Sequence, residues 1–586
     1  MVVLKNQHYN MKLSHFVLSI LFLLGASPLL SQQTRFEKTN GKESATYYEA
    51  IAFYKQLSKI SPLVSVRKMG TTDAGLPLHL VLVNANANFS INQLDRKKNV
   101  VLLINNGIHP GEPDGIDASM LLVRDIVAKK IIVPKNVFLA FIPVYNIGGC
   151  LNRGSTSRVN QNGPLEYGFR GNSQNLDLNR DFTKCDSREA KSFAEIFHLL
   201  DPDILIDNHV SDGADYQPTM TLLTTQYNKL GERLGRWLKN VFEPQLYADM
   251  SKKGHNMIPY VNFESAQPEI GMEMFYDPPR YSSGYAALFQ TIAFMPETHM
   301  LKPFKDRVLC TYALMQTMIE KASVNAESII QERKIARAAV KESTSFALGW
   351  KSDSSDYSLV SFSGYEQAFK KSTATGLQKM YYDHQLPFTK NVKLFDVFLP
   401  NKIINKPIAY IIPSGWNSVI DLLRLNGVSI QQLNKDSLIE VEVSHIVDYK
   451  SSLQPYEKHH RNSQVKTIVS KKLIQFRKGD WYIPMNQLAN RYIVEMLEPQ
   501  GDDSFFAWNF FDAILQQKEG YSDYRWEDVA GEVLKNDSVL QQKLIDKKQL
   551  DPIFANNSHA QLDFIYKNSI YYEQAHLRYP VYRLVL

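Results

Sequence analysis

The sequence predicts an α/β protein in which a helix-flanked sheet is followed by a strand-rich domain. Between about residues 45 and 318, short apolar runs alternate with amphipathic stretches, which is the pattern of a layered α/β domain. After Ser345 polar and apolar residues alternate, as in Leu438–Val443, and turn residues become frequent, which is typical of half-exposed strands. The 586 residues also exceed what one hydrophobic core normally serves.

The composition is that of an ordinary globular protein. Hydrophobic residues make up 44% and charged residues 22% of the chain, which excludes a disordered chain, a collagen-like repeat and a multispan membrane protein. The formal charge of +6 is spread without long basic runs, so no nucleic-acid partner is expected. Cys150, Cys185 and Cys310 lack C-x-x-C spacing, which favours buried side chains, with a Cys150–Cys185 bridge left open.

Residues 1–31 are predicted to be a secretory signal peptide. Lys12 precedes the apolar run Phe16–Gly25, and small residues follow at Ala26 and Ser31. The run is shorter than the ~20 residues that a membrane span requires, and no cysteine follows it for a lipid anchor. We therefore expect an exported protein, periplasmic or secreted, with no stable membrane anchor after signal removal.

Short apolar runs bounded by Gly, Pro or Asn predict the strands of the first domain. These strands are Val100–Asn105, Val137–Val144, Ile204–Asp207 and Thr291–Met295. Helical patterns lie between them at Ile116–Ile126 and Ser187–Leu200. The charged stretch 326–345 contains no Gly or Pro and predicts a solvated connecting helix.

Two features organise the predicted second domain. A strand–helix–strand unit is indicated by Ile408–Ile412, Val419–Leu425 and Val428–Ile430. The aromatic cluster Phe505–Phe511 could be a binding platform, but its mixed spacing favours a core or an interdomain seam.

His109 and Glu112 are candidates for binding one metal ion. A His and a Glu three residues apart can offer an imidazole nitrogen and a carboxylate oxygen to zinc, and this pair follows an apolar strand. Alone the pair is weak evidence, since a chain with 14 histidines contains one H-x-x-E by chance at about even odds. His209, just beyond the strand Ile204–Asp207, provides a third ligand and leaves the fourth zinc position for water.

Further polar residues are expected at the same edge of the sheet. Glu297 ends another strand and is a candidate general base, since open α/β sheets build their sites beyond the carboxyl ends of strands. Asn179 and Arg180 offer amide and guanidinium donors suited to a carboxylate. Asp177 is placed to accept the second N–H of a zinc-bound imidazole. Any one of these could be an ordinary loop residue, but together they favour a site.

With these motifs the sequence resembles the zinc carboxypeptidase family of metallopeptidases, as a bacterial-type exported member. The matching motifs are His109-Pro-Gly-Glu112, Asp177-Leu-Asn179-Arg180, Asp207-Asn-His209 and Pro296-Glu297, in the family's order. The resemblance covers roughly residues 45–318. It implies a mixed sheet flanked by helices in a catalytic domain at 45–325. The sequence patterns add a signal peptide at 1–31, a connecting helix at 326–345 and a β-rich accessory domain of unassigned role at 346–586.

The resemblance also implies roles for single residues. His109, Glu112 and His209 would bind one Zn2+ per chain. Glu297 matches the family's catalytic glutamate, and Asp177 matches the carboxylate behind the first histidine ligand.

Two further roles concern the substrate. Asn179 and Arg180 match the family's anchor for a C-terminal carboxylate. Arg158 is the best match for the arginine that steadies the oxyanion, with Arg153 and Arg170 as competitors.

Two positions of the family pattern are less well defined. Among three tyrosines before Glu297, spacing favours Tyr276 over Tyr281 and Tyr285 as the family's mobile tyrosine. Gly111 stands where digestive-type members carry an arginine, and this leaves the substrate's side-chain preference open.

The predicted activity is hydrolysis of peptide bonds by a zinc-activated water, with removal of C-terminal residues. Glu297 would act as the general base, and Arg158 together with zinc would stabilise the oxyanion. Two alternatives remain: a zinc deacylase or amidase acting on acylated amino acids or cell-wall peptides, and a catalytically silent exported binding module. The intact Glu297 argues against the silent module. The sequence makes no prediction of oligomeric state.

Overall fold

The computed structural model describes residues 32–262 and 270–585. The predicted signal peptide lies outside the described residues. Within the part of the chain that is described, no helix combines the length and the apolar character needed to cross a membrane.

The chain forms two compact units. The first takes in the residues up to Lys406 together with Ile420–Ser429 and Asn486–Met496, and the second comprises Pro407–Val419, Ile430–Met485 and Leu497–Leu586. The domain boundaries at 325 and 345 that the sequence suggested stay predictions.

The strands are numbered here in chain order. Those of the first unit are β1 Val64–Thr71, β2 Pro77–Asn84, β3 Val100–Asn105, β4 Val137–Ile142, β5 Ile204–Asp207, β6 His209–Ser211, β7 Met220–Thr224, β8 Met257–Pro259, β9 Met272–Glu273, β10 Ile292–His299, β11 Ser345–Ser352, β12 Ser358–Lys371, β13 Gln378–Phe395 and β14 Phe398–Asn405. Those of the second unit are β15 Ala409–Ile412, β16 Gln431–Gln432, β17 Ser437–Ser451, β18 Asn462–Phe476, β19 Trp481–Pro484 and β20 Tyr582–Leu584.

Helices lie between the strands along the whole described chain. Up to residue 342 they are Arg35–Lys38, Tyr47–Ile60, Asp114–Val127, Ile147–Leu151, Arg188–Leu200, Glu232–Trp237, Glu243–Lys252, Ser282–Ala287, Phe304–Val324 and Ala326–Glu342. Beyond it they are Asn417–Leu425, Asn490–Leu497, Asp523–Asn536, Ser538–Leu550, Pro552–Ala555 and Ser558–Lys567. The predicted strand-rich character therefore holds for 345–484, whereas helices predominate after residue 490.

A mixed sheet forms the centre of the first unit. Its strand order is β1-β2-β4-β3-β5-β10-β7-β8, with β6 paired to β10. The central strands β3, β4, β5 and β10 run parallel to their neighbours in this group, and β3 and β4 are buried at every position. Burial on both faces explains why these strands read as continuous apolar runs.

Local signals explain where the flanking helices begin. Thr46 forms a capping box with Glu49 at the start of helix Tyr47–Ile60, and Ser187 caps helix Arg188–Leu200. Each side-chain oxygen accepts a backbone N–H that has no partner within the helix. Buried apolar side chains of helix Tyr47–Ile60 belong to the core cluster of the sheet, and helix Arg188–Leu200 contacts β1 and β3.

The helix Ala326–Glu342 is held more firmly than a solvated connector would be. Arg333 is buried, and its guanidinium donates to Asp203 Oδ1 at 2.9 Å and to Asp201 Oδ1 at 2.6 Å. It also donates to Thr291 Oγ1 at 3.1 Å. The sequence predicted a mainly solvated helix and did not predict this buried ion pair. The charge pattern of residues 326–345 does not indicate which charged side chain has a buried partner.

The predicted strand at Val428–Ile430 is displaced to β16. Gly427 has a positive φ of 72°, and Val428 N–H donates to Leu423 O at 3.0 Å. This contact closes the C-terminus of helix Asn417–Leu425 in the way that a glycine just beyond a helix commonly does. Val428 is thus used to end the helix and is not part of a strand.

The second unit is built on a six-stranded sheet of order β16-β19-β15-β20-β17-β18. The long strands β17 and β18 pair antiparallel, and over residues 437–443 β17 alternates between more and less exposed positions, as the sequence pattern predicted. In the aromatic cluster Phe505–Phe511, the side chains of Phe505, Phe506, Trp508 and Phe511 are fully buried. This burial favours the core interpretation of the cluster over a binding platform.

We predict that Arg333→Met destabilises the first unit by about 3 kcal/mol, because the buried carboxylate of Asp203 and the partly exposed carboxylate of Asp201 would each lose a charged partner. Calorimetric unfolding measures the effect. The matched control is Arg233→Ala, which removes an exposed ion pair to Glu332 and should change the stability by about 1 kcal/mol or less. Equal losses in the two variants would contradict the importance of the buried cluster.

Candidate active site

The topology of the central sheet brings the predicted metal ligands together. β3, β5 and β10 are neighbours and run parallel, so their carboxyl ends meet at one edge of the sheet. His109 follows β3, and His209 begins β6 directly after β5. Glu297 on β10 lies beside His209 in the register of the sheet.

Two imidazoles and one carboxylate form a buried triad. Glu112 Oε1 lies 3.3 Å from His109 Nδ1, and Glu112 Oε2 lies 3.2 Å from His209 Nδ1. One ligand atom from each of the three residues lies within 4.8 Å of the others. Among the described residues, the buried Nδ1 of His109 has no hydrogen-bond partner, which is the state expected of a nitrogen reserved for a metal.

Each histidine is oriented from behind by a carboxylate. His109 Nε2 lies 2.9 Å from Asp177 Oδ1, and His209 Nε2 lies 3.2 Å from Asp207 Oδ2. A carboxylate on the second ring nitrogen fixes the tautomer and makes the first nitrogen a better ligand. A donor set of two histidines and one glutamate is a known zinc-binding set, so these residues fit a zinc ion.

The charges around Glu112 keep it ionised. Burial alone would raise the pKa of this carboxyl, but His109 and Arg158 outweigh burial and hold the pKa well below its usual range. The same balance operates at Asp177, where His109 and Arg170 lower the pKa against the effect of burial. Both carboxylates are therefore ready as an anionic ligand and as a hydrogen-bond acceptor.

Glu297 has the opposite shift. Burial raises the pKa of this carboxyl to about 8, and the charge of Glu112 acts in the same direction, while His209 opposes the shift. A divalent cation bound to the triad would favour the ionised carboxylate and lower this pKa.

Of the three candidate oxyanion arginines, two lie at the triad. Arg158 Nη1 donates to Glu112 Oε1 at 2.9 Å, and Arg170 lies between Glu112 and Asp177. Arg153 instead donates to the backbone oxygens of Ser44 and Glu166, away from the triad. The role of Arg158 as oxyanion donor stays a prediction.

Gly111 explains how Arg158 reaches the triad. A Cβ atom at residue 111 would lie 2.7 Å from Cδ of Arg158, closer than side-chain atoms approach each other. A larger residue at this position would therefore force the side chain of Arg158 to shift. Digestive-type members carry an arginine at the position of Gly111. In this chain a different arginine, Arg158, packs closely against that glycine.

Asn179 and Arg180 are held in a short 3-10 turn, Leu178–Arg180. Asp177 Oδ1 accepts the backbone N–H of Asn179 at 2.9 Å and so fixes the turn beside the metal triad. The guanidinium carbon of Arg180 lies 4.2 Å from the ring centroid of Tyr281. Cation–π contact of this kind orients the guanidinium.

The predicted site residues line one cavity of about 290 Å³. Its walls are formed by His109, Glu112, Arg158, Arg170, Asn179, Arg180, His209, Val210, Ser211, Asp212, Leu223, Tyr260, Phe275, Tyr281, Met295 and Glu297. The wall contains both polar side chains and the apolar side chains of Val210, Leu223, Phe275 and Met295.

Sequence reasoning missed part of this wall. Tyr281 lines the cavity, whereas the favoured Tyr276 packs elsewhere, with its ring 5.9 Å from Phe398. Tyr260 and Phe275 belong to no polar motif, and only their position in the folded cavity wall identifies them.

The sequence left open a disulfide bond between Cys150 and Cys185. The structure has none, since all three cysteines are free and buried.

Comparison with known proteins bears on the same residues. The family model described as zinc carboxypeptidase matches residues 50–199, which include His109, Glu112, Asn179 and Arg180. The predicted resemblance to zinc carboxypeptidases is confirmed. His209 and Glu297 lie beyond the matched segment but within the same cavity.

Curated relatives and a solved structure to which the chain is similar are named carboxypeptidases. Carboxypeptidase 2 of Trichophyton rubrum is 21% identical over 478 residues, covering 77% of this chain and 81% of the relative. Carboxypeptidase 2 of Trichophyton tonsurans is 21% identical over 423 residues, covering 68% and 72%. A metallo-carboxypeptidase structure from Pseudomonas aeruginosa is 15% identical, with a TM-score of 0.37 over 49% of this chain and 70% of that chain.

We predict that Asp177→Asn lowers zinc affinity about 10- to 100-fold, because the carboxylate behind His109 is lost while the shape is kept. Competition with a chelating dye measures the affinity without reference to activity. Glu195→Gln, an exposed change on helix Arg188–Leu200, is the control and should bind zinc normally. Unchanged affinity in both variants would contradict the orienting role of Asp177.

Proposed function

We propose that this protein is a zinc metallocarboxypeptidase that uses the cavity around His109, Glu112 and His209 to remove C-terminal residues from peptides. The observation that carries the proposal is that three groups of residues, each with its own expected role, line one cavity. A metal triad, a carboxylate and a carboxylate-binding pair all face the same space.

The three ligand residues would hold the zinc ion. A zinc ion bound there supplies the Lewis acidity that makes hydrolysis possible at neutral pH. The preformed geometry of the two histidines, each with its own carboxylate, supports this assignment.

Glu297 would take the proton from the attacking water at its carboxylate oxygen and pass it to the leaving amine. Its position beside His209 in the sheet places this carboxylate next to the triad. Arg158 and Arg170 would donate N–H groups to the oxygen that becomes negative in the transition state. Fixed donors of this kind need no rearrangement as the charge develops.

Asn179 and Arg180 would hold the free carboxylate at the end of the peptide. An amide and a guanidinium side by side can bind both oxygens of a carboxylate. If this pair anchors the chain end, the bond at the triad is the last peptide bond, and this produces exopeptidase action. The apolar wall formed by Leu223, Phe275 and Met295 supports a preference for an uncharged terminal side chain.

We further infer that the protein acts after export. Residues 1–31 carry the features of a signal peptide, as the sequence analysis describes. Peptides outside the cytoplasm would then be the substrates.

Replacing Glu297 by Gln should lower kcat by about 10²- to 10⁴-fold and leave zinc bound, because the amide cannot accept the proton. Steady-state kinetics and metal analysis of the same preparation check both parts. Retained turnover in a zinc-loaded sample would remove Glu297 from the proposed role.

Incubation of the protein with a mixed peptide pool should yield ladders shortened from the C-terminus, detected by mass spectrometry and abolished by a zinc chelator. Peptides ending in Phe or Leu should be trimmed faster than peptides ending in Lys or Asp. C-terminally amidated copies of the same peptides serve as the matched control and should resist cleavage, because they lack the anchored carboxylate. Cleavage of acylated amino acids without trimming would instead favour a deacylase.

A further inference from the structure

The strands β12 and β13 form a long hairpin, which we call the 358–395 hairpin. The strands pair antiparallel from Ser358 opposite Leu394 to Lys371 opposite Gln378. The hairpin lies beyond the segment matched by the family model, yet it belongs to the same compact unit as the metal triad. The sequence assigned it to an accessory domain without a role.

The hairpin holds one wall of the cavity through the loop 211–217, which follows a predicted zinc ligand. The first two residues of this loop line the cavity. Gln217 Nε2 donates to the backbone oxygens of Gly364 and Phe388, both at 3.0 Å, and so joins the loop to both hairpin strands. Tyr216 forms an isolated β-bridge with Gly364.

A charged cluster strengthens the same junction. The buried Asp215 lies 2.6 Å from His384 on the hairpin and 3.4 Å from Lys302, measured between side-chain oxygen and nitrogen atoms. The ring of His384 stacks on Tyr365, with 4.2 Å between the centroids. Lys302 also donates to the backbone oxygen of Tyr216, so the loop is tied to the hairpin and to the catalytic core.

The hairpin also holds a second wall of the cavity. β9 pairs parallel with the end of β13, where Glu273 lies opposite Phe395. The next residue, Met274, donates its backbone N–H to Phe395 O at 3.0 Å. Phe275 follows directly and lines the cavity, and Tyr281 lies a few residues further on.

An apolar cluster fills the space between the hairpin and both walls. Its buried members come from the loop, from β8, from the β9 segment and from the region of the hairpin: Tyr216, Ile258, Met272, Met274, Phe362, Val392, Leu394 and Phe398. Because the walls and the hairpin share one core, a shift of the hairpin displaces both walls.

We propose that the 358–395 hairpin positions the two cavity walls and thereby determines how tightly the enzyme holds its peptide. This inference rests on the proposed function of the cavity. Within the described residues no hairpin side chain lines the cavity, so the hairpin acts through loop 211–217 and through the segment after β9. Its contacting residues are therefore positioning residues.

The kinetic test is the double variant His384→Ala, Gln217→Ala. Loss of the His384–Asp215 contact and of the two Gln217 side-chain hydrogen bonds should raise KM for a peptide substrate about tenfold, while kcat stays within about twofold. Zinc content should not change, because the triad is outside the altered contacts. A purely structural role would lower the melting temperature but leave KM of the folded protein unaltered.

Gln385→Ala is the matched control. Gln385 neighbours His384 and is exposed, and its backbone N–H, which the substitution keeps, donates to Asp383. This variant should have the KM of the parent protein. His384→Lys keeps a nitrogen donor that can reach Asp215 and, combined with Gln217→Ala, should restore part of the affinity lost in the double variant.

Hydrogen exchange tests the inference without relying on activity. The double variant should show faster amide exchange in 211–217 and in 272–276 than Gln385→Ala, since both segments donate backbone N–H groups to the hairpin. If the parent protein cleaves no peptide, the proposed function is refuted. The exchange data would still test whether the hairpin positions the two cavity walls. Unchanged exchange and unchanged KM in a folded double variant would overturn the proposal.

Discussion

The buried carboxylate of Glu112 is the group on which the site depends. Its two oxygens face His109 and His209, and one of them also accepts the backbone N–H of Val210 at 2.9 Å. Arg158 Nη1 donates to the oxygen that faces His109 and compensates the charge of the carboxylate. A carboxylate this deeply buried is tolerated only with such partners, so the partners and the carboxylate fix one another's positions.

The sheet makes this assembly possible. Parallel pairing of β3, β5 and β10 places three chain segments, distant in sequence, at one edge. The strands are buried on both faces, so their register cannot slip without moving apolar side chains out of the core. Side chains just beyond the ends of such strands are held in fixed positions by the rigid sheet. This is why a short metal-binding motif can be held accurately on loops.

The first compact unit contains more than the helix-flanked sheet. The 358–395 hairpin pairs with β9 and contacts the loop after the second histidine, so the segments that line the cavity pack against the hairpin as well as against the sheet. The change in sequence pattern at residue 345 suggests a division of the chain there. Such a division would separate the hairpin from β9 and from loop 211–217, which it contacts. Changes of composition reveal the type of an element, whereas its packing partners depend on contacts between residues far apart in sequence.

The sequence by itself determined the central strands and located the histidines, the glutamates and the Asn179–Arg180 pair that line one cavity. These features depend on local patterns: continuous apolar runs, a His and a Glu three residues apart, and polar residues just beyond strand ends. The tertiary structure decided which arginines reach the triad, which tyrosine lines the cavity and where the hairpin docks. Arg153 and Arg158 look alike in sequence, and only the space left by Gly111 brings Arg158 to Glu112. Such choices depend on long-range packing, in which each side chain's position is set by residues that no local pattern identifies.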